Sequence, residues 1–308
     1  LLMLTGLGTA MISYGYRVPA PVAVGNLGMC LAGAAIDYPN PFFPYLGIVL
    51  ITANLLGYFA ARAHRYSWLR WILLLVTLFM INLWGVKLGM TLLAHDQLPR
   101  TLAPGWFMPL LVLFTVTYMI TGFFGIVRSL PGKIHRFELA LPTINVAWTF
   151  VLATYVGTAM GGSKIAIGII GVIVGAGHLA ASRWLADRDR EGARGTNAFV
   201  FAGVVLLAIA LPAAMDSMLL SLPLLAGIAF GAARMSERWH SGSIRLTSYL
   251  LQIYANGALA VVLLSQETPA AFLTSTLSAG CLACIGLFHY KWCRSHKPPE
   301  RSSFFSRI

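Results

Sequence analysis

Residues 37–71 read DYPNPFFPYLGIVLITANLLGYFAARAHRYSWLRW, and this stretch decides the fold. It opens on a proline-rich turn with one acid, Asp37. An apolar run follows, carrying a single amide, Asn54, and ending on small residues and Arg62. A basic, aromatic loop of His64, Arg65, Trp68, Arg70 and Trp71 then leads into the next apolar run. An apolar run of about 20 residues reads as a membrane-spanning helix, because in lipid only a helix satisfies its own backbone groups.

The same alternation extends in both directions. Eleven apolar segments fall at about 1–14, 19–36, 42–61, 68–93, 105–127, 139–159, 165–182, 198–213, 217–233, 246–264 and 271–290. The pattern predicts an all-α polytopic transmembrane helix bundle of about 11 spans over residues 1–290, with a basic tail over 291–308. Pro142 is expected in the first turn of its helix, where proline is tolerated. The segment opening at Leu1 is too short to cross alone and does not look like a signal peptide, so residues are expected upstream of it.

Composition agrees. Hydrophobic residues make up 58% of the 308-residue chain and charged residues 10%, against about 25% charged in ordinary soluble domains. No soluble domain of any size fits. The net charge of +12 is explained by where the charges fall. Nineteen of the 22 Lys and Arg lie in one set of alternate loops and the C-terminal tail. The opposite loops hold only Arg100 and Lys164, and Lys87 sits within a span. This is the positive-inside pattern, which places the basic loops and the C-terminus in the cytoplasm. Nucleic-acid binding is not expected, and membrane lipids become the natural partners of the basic loops. Trp68, Trp71, Trp184, Trp239 and Trp292 at one set of span ends, and Trp106 at the other, fit interfacial belts. Trp84 and Trp148 lie deeper and are expected between helices.

Three spans end small-small-Arg, at Arg62, Arg183 and Arg234, and the hairpin 217–264 resembles 42–93. Internal duplication would produce this, as would any positive-inside hairpin. Cys281 and Cys284 form a C-x-x-C inside an apolar run, where thiols act as small hydrophobes. A zinc site would need two further ligands, so no metal or cofactor is expected.

Polar residues within spans are the candidates for function, because lipid makes them costly. They are Asn26, Asn54, Asn82, Lys87, Asn145, His178 and Asn256. Asn82, Gly85 and Gly89 share one helix face, and Gly171/Gly175 and Gly227/Gly231 repeat small-xxx-small spacing suited to close helix contact. In the bland reading each Asn is interhelical glue, at about 0.6–2 kcal/mol per hydrogen bond. His178 reads as a proton relay or as a helix-to-helix hydrogen bond. Lys87 either snorkels to the interface or binds an anionic group. A second group, Asp37, His95, Asp96, Asp216 and Glu267, is expected on the outer face. Carboxylates beside a histidine can bind a metal or act as acid and base, though solvated loop ends have the same composition. No nucleophile elbow, nucleotide glycine loop or H-E-x-x-H is present.

The order D-Y-P-N-P (Asp37 to Pro41), a span centred on Asn54 and the run W-I-L-L-L is followed by P-T-I-N-V-A-W-T-F (Pro142 to Phe150). Next come G-H-L-A-A-S-R (Gly177 to Arg183) and A-I-A-L-P-A-A-M-D (Ala208 to Asp216). Over roughly residues 1–265 this resembles a large family of bacterial polytopic inner-membrane proteins catalogued as a domain of unknown function. The resemblance implies a many-span protein of the inner (plasma) membrane and supplies no catalytic residues. The resulting expectation is a non-enzymatic membrane subunit or scaffold that packs with partner spans or handles lipid. The alternative is a transporter or channel with a path lined by the intramembrane Asn residues, Lys87 and His178. A membrane-embedded transferase using the outer acids is a third reading.

Overall fold

The computed structural model describes residues 2–16, 18, 20–36, 42–64, 67–130, 134–188, 194–265 and 272–296. Among them the chain forms eleven α-helices and one 3-10 turn, Arg100–Leu102. In chain order the helices are α1 (Leu2–Tyr16), α2 (Ala20–Ala35), α3 (Phe43–His64), α4 (Ser67–Leu93), α5 (Pro104–Ser129) and α6 (Arg136–Ala159). Then come α7 (Lys164–Ala186), α8 (Arg194–Ala214), α9 (Met218–Arg238), α10 (Gly242–Ser265) and α11 (Phe272–Ser295). Nine of these, α3 to α11, are long and apolar enough to cross a membrane. The first two have 15 and 16 residues, about 23 Å of helix at 1.5 Å per residue, against a hydrocarbon core of about 30 Å.

Each predicted apolar segment lies within two residues or less of a helix start or end on at least one side, and the helices run past the apolar residues at their basic ends. The ninth segment stops at 233, whereas α9 continues to Arg238. The backbone ladder does not end where the apolar run does. Arg128, Arg183, Arg238 and Arg294 occupy last turns, where a cation also favours the helix dipole. The same extension corrects Pro142. With His135 as N-cap and Glu138 in the first turn, α6 begins at Arg136, so Pro142 lies in the helix interior. The polar start of α6 had hidden its first three residues.

The chain divides into two compact units. One comprises residues 1–124, 135–141 and 151–161, and the other 125–134, 142–150 and 162–308. In the first unit, Val49, Leu50, Leu73, Leu88, Phe107 and Phe114 form buried packing positions. Trp84 is enclosed as expected. It stacks on Phe43, meets Phe107 edge-on, and donates its indole N–H to the Leu102 carbonyl at 2.7 Å. The stripe on α4 is used as predicted, since a Cβ at Gly85 would lie 2.6 Å from Leu152 Cδ1 and one at Gly89 would overlap the Tyr155 ring.

In the second unit, α7 and α8 make the closest approach. A Cβ at Gly171 would sit 2.8 Å from Ala210 Cβ, and one at Gly175 would sit 2.9 Å from Leu207 Cγ. The other predicted pair is corrected: Gly227 and Gly231 have nothing within 4 Å of a built Cβ. Their face of α9 is turned away from its neighbours, because α9 packs through Leu222, Leu225, Ala226 and Ala229. Both α10 and α11 pack on α9 and touch each other little. Buried fractions of 61% for α8, 22% for α10 and 17% for α11 put the last two spans at the exposed side of their unit.

Candidate functional site

Asn54 lies 12 residues into α3, half-buried within an apolar run, and finds partners within the protein. Its amide nitrogen donates to the Leu50 carbonyl at 2.8 Å and to Thr77 Oγ1 on α4 at 2.7 Å. Its amide oxygen accepts from the Tyr118 hydroxyl on α5 at 3.0 Å. Thr77 passes its own proton back to the Leu73 carbonyl at 2.8 Å. One amide thus joins three helices, with both donors and one acceptor position used.

Nearer the basic end of α4, Arg70 Nη1 donates to Glu138 Oε1 in the first turn of α6 at 3.0 Å, and both side chains are buried. The guanidinium carbon lies 4.2 Å from the Phe137 ring centroid and 5.1 Å from that of Tyr58. Trp71 closes edge-on against Phe137 at 5.0 Å. Between the amide knot and the ion pair is a cavity of about 20 Å³ lined by Asn54, Tyr58, Arg70, Tyr118 and Phe137. That is room for a single water.

The other intramembrane candidates have surroundings of their own. His178 Nδ1 faces the carbonyl of Val174, one turn back, at 2.9 Å, and its ring stacks on Phe199 at 5.6 Å between centroids. These are helix-packing contacts. Asn145 is buried and accepts from Thr149 at 3.4 Å. Asn82 is half-buried and Asn256 exposed. Lys87 is exposed, with Nζ 6.0 Å from the Phe43 ring centroid. Asn26 is fully buried on α2 with neither amide atom bonded.

The described members of the outer acidic group fall in both units. His95 and Asp96 are exposed just beyond α4 in the first unit. Asp216 belongs to the second, where it meets Lys164 at 3.5 Å with both side chains more than half exposed. Such a pair contributes little. Asp37 and Glu267 lie outside the described residues. Among the described residues no three of His, Cys, Asp and Glu are grouped to hold a metal ion.

Sequence reasoning missed a second polar region, in α9 to α11. Arg245, counted above only as a loop charge, is fully buried. Its Nε donates to Ser236 on α9 at 2.7 Å, its Nη1 donates to the His296 carbonyl at 3.2 Å, and the guanidinium lies 4.6 Å over Trp292. The side chain thereby fastens three helices at one end. Beside it, α10 and α11 diverge around a cleft of about 550 Å³ lined by Tyr249, Gln252, Gly286, His289, Cys293 and Arg294. The sequence signal was present. Tyr249 and Gln252 are spaced i, i+3, and Gly286, His289 and Cys293 are spaced i, i+3, i+7, so each set shares a face. Gln252 was a polar residue in an apolar run like the asparagines.

Compared with known proteins, the chain matches no family model, no curated protein and no solved structure.

Proposed function

We propose that the chain is a non-enzymatic multi-pass protein of the bacterial inner membrane, a subunit or scaffold that packs with partner spans or handles lipid. In this reading all eleven helices belong to the membrane domain, and the C-terminal tail, with the basic loops, faces the cytoplasm. The charge asymmetry supports that orientation. The likeness to the bacterial inner-membrane family supports the setting.

The observation that carries the reading is the contrast between α8 and the last two helices. While α8 is enclosed, α10 and α11 turn Ile253, Val261, Leu264, Leu277, Leu287 and Phe288 outward, a surface that only lipid or other apolar spans can cover. Asn256 on that surface is an interhelical hydrogen-bonding group without a helix against it. The test is site-specific photocrosslinking in cells, from Leu287 and Asn256 against Ile173, an exposed position on α7. A discrete adduct with one membrane protein from the first two positions, and none from Ile173, is the expected result. Uncrosslinked monomer at all three positions would sink the subunit reading.

A transport reading has one observation in its favour, the Asn54–Thr77–Tyr118 knot beside a buried ion pair and a water-sized cavity. Reconstituted vesicles test it. Solute flux abolished by Tyr118→Phe would move transport to first place.

A further inference from the structure

Gln252 is the least satisfied group in the cleft between α10 and α11. Its Oε1 and Nε2 are both shielded from solvent, and neither has a hydrogen-bond partner. A buried amide left so is costly, because its lost hydration is not replaced. Across the cleft is Gly286, where a Cβ would come within 3.3 Å of the Gln252 nitrogen. The absence of a side chain there leaves room for the amide in the wall of the cleft, which Gln252 lines.

The polar groups are layered by depth. Gln252 and Gly286 mark the inner level. Tyr249, His289 and Cys293 stand one to two turns nearer the basic end, and Arg294 stands at the mouth, next to the last residue of α11. From Gly286 to Arg294 is about 12 Å of helix. Beyond Gln252 the lining turns apolar with Ile253. The volume of about 550 Å³ lies within the usual range for small-molecule sites, roughly 300–1,000 Å³.

We propose that this cleft is a binding site for one anionic glycerophospholipid of the cytoplasmic leaflet. Arg294 takes the phosphate, with the buried Arg245 cation behind it. The Gln252 amide donates to an ester carbonyl one level deeper, and an acyl chain continues along Ile253. A soluble phosphate would leave the inner level unfilled, whereas a lipid presents charge, carbonyl and chain in the order in which the cleft presents their partners. The proposal deepens the lipid-handling part of the function proposed above and rests on it.

The experiment is native mass spectrometry of the full chain in detergent with equal amounts of phosphatidylglycerol and phosphatidylcholine of matched chains. Both lipids offer a phosphate to Arg294, but the choline of phosphatidylcholine brings a second cation beside Arg294 and Arg245, so the wild type should retain one phosphatidylglycerol with about tenfold preference. Arg294→Gln should remove the preference, and Gln252→Leu should lower retention of both lipids. Gly286→Phe, which fills the cleft, should abolish it, and Asn256→Leu on the outward face of α10 should change nothing. Equal retention of the two lipids by the wild type would overturn the proposal. So would undiminished phosphatidylglycerol in Gln252→Leu, a variant that replaces an unsatisfied amide with an apolar group and so retains the fold. If the crosslinks from Leu287 persist while the lipid preference fails, the subunit reading stands and the lipid site alone falls.

Discussion

Arg70 and Glu138, 68 positions apart in sequence, meet at 3.0 Å with their side chains only 10% and 8% exposed. Each charge has been taken out of water, and the guanidinium is further enclosed by the Tyr58 and Phe137 rings. Removing one partner strands the other in an apolar setting, and stranding costs more than the pair itself contributes. Arg70→Met or Glu138→Leu alone should therefore destabilise the detergent-solubilised protein by about 3–5 kcal/mol. The double variant should recover most of that loss. Thermal unfolding followed by size-exclusion chromatography checks it, and additive losses would show that the two side chains act independently.

The amide knot makes a smaller prediction. Tyr118→Phe and Asn54→Leu each break the 3.0 Å hydrogen bond between α5 and α3. In a double-mutant cycle their coupling should fall at about 0.6–2 kcal/mol, the range for interhelical hydrogen bonds in membranes. A coupling near zero would mean that Tyr118 finds another acceptor when Asn54 is gone.

Helix approach separates the glycines. Gly171→Leu and Gly175→Leu drive a branched side chain into α8, which should cost about 1–3 kcal/mol or more through overpacking. Gly227→Leu and Gly231→Leu enter open space and should stay within about 0.5 kcal/mol. Folded yield in detergent distinguishes them.

Orientation has a direct readout. In intact cells, single cysteines introduced at Arg188 and Arg238 should resist membrane-impermeant thiol reagents, while cysteines at Gln97 and Gly161 should react. Reversed labelling would invert the proposed topology.

The helices, their number and most of their limits were legible in the sequence, because in lipid every backbone group must be satisfied within its own segment. That constraint is local, so an apolar run such as 42–61 declares its helix without knowledge of its neighbours. The close approach of α4 at Gly85 and Gly89 could also be read, since small residues on one face permit it. Gly227 and Gly231 satisfy the same spacing and pack against nothing among the described residues. Spacing records what a helix face permits, and only the arrangement of the other helices decides which permitted face is used. The same distinction separates the polar residues. A span shows that Asn54, His178 and Gln252 are costly in lipid, but not which groups absorb the cost. Tertiary structure ties Asn54 to Tyr118 across 64 positions, satisfies His178 within its own helix, and leaves Gln252 facing an open cleft. Arg70, Glu138 and Arg245 looked like ordinary charges at span ends. Their burial depends on the rings and carbonyls that distant segments bring over them, and no local pattern encodes that.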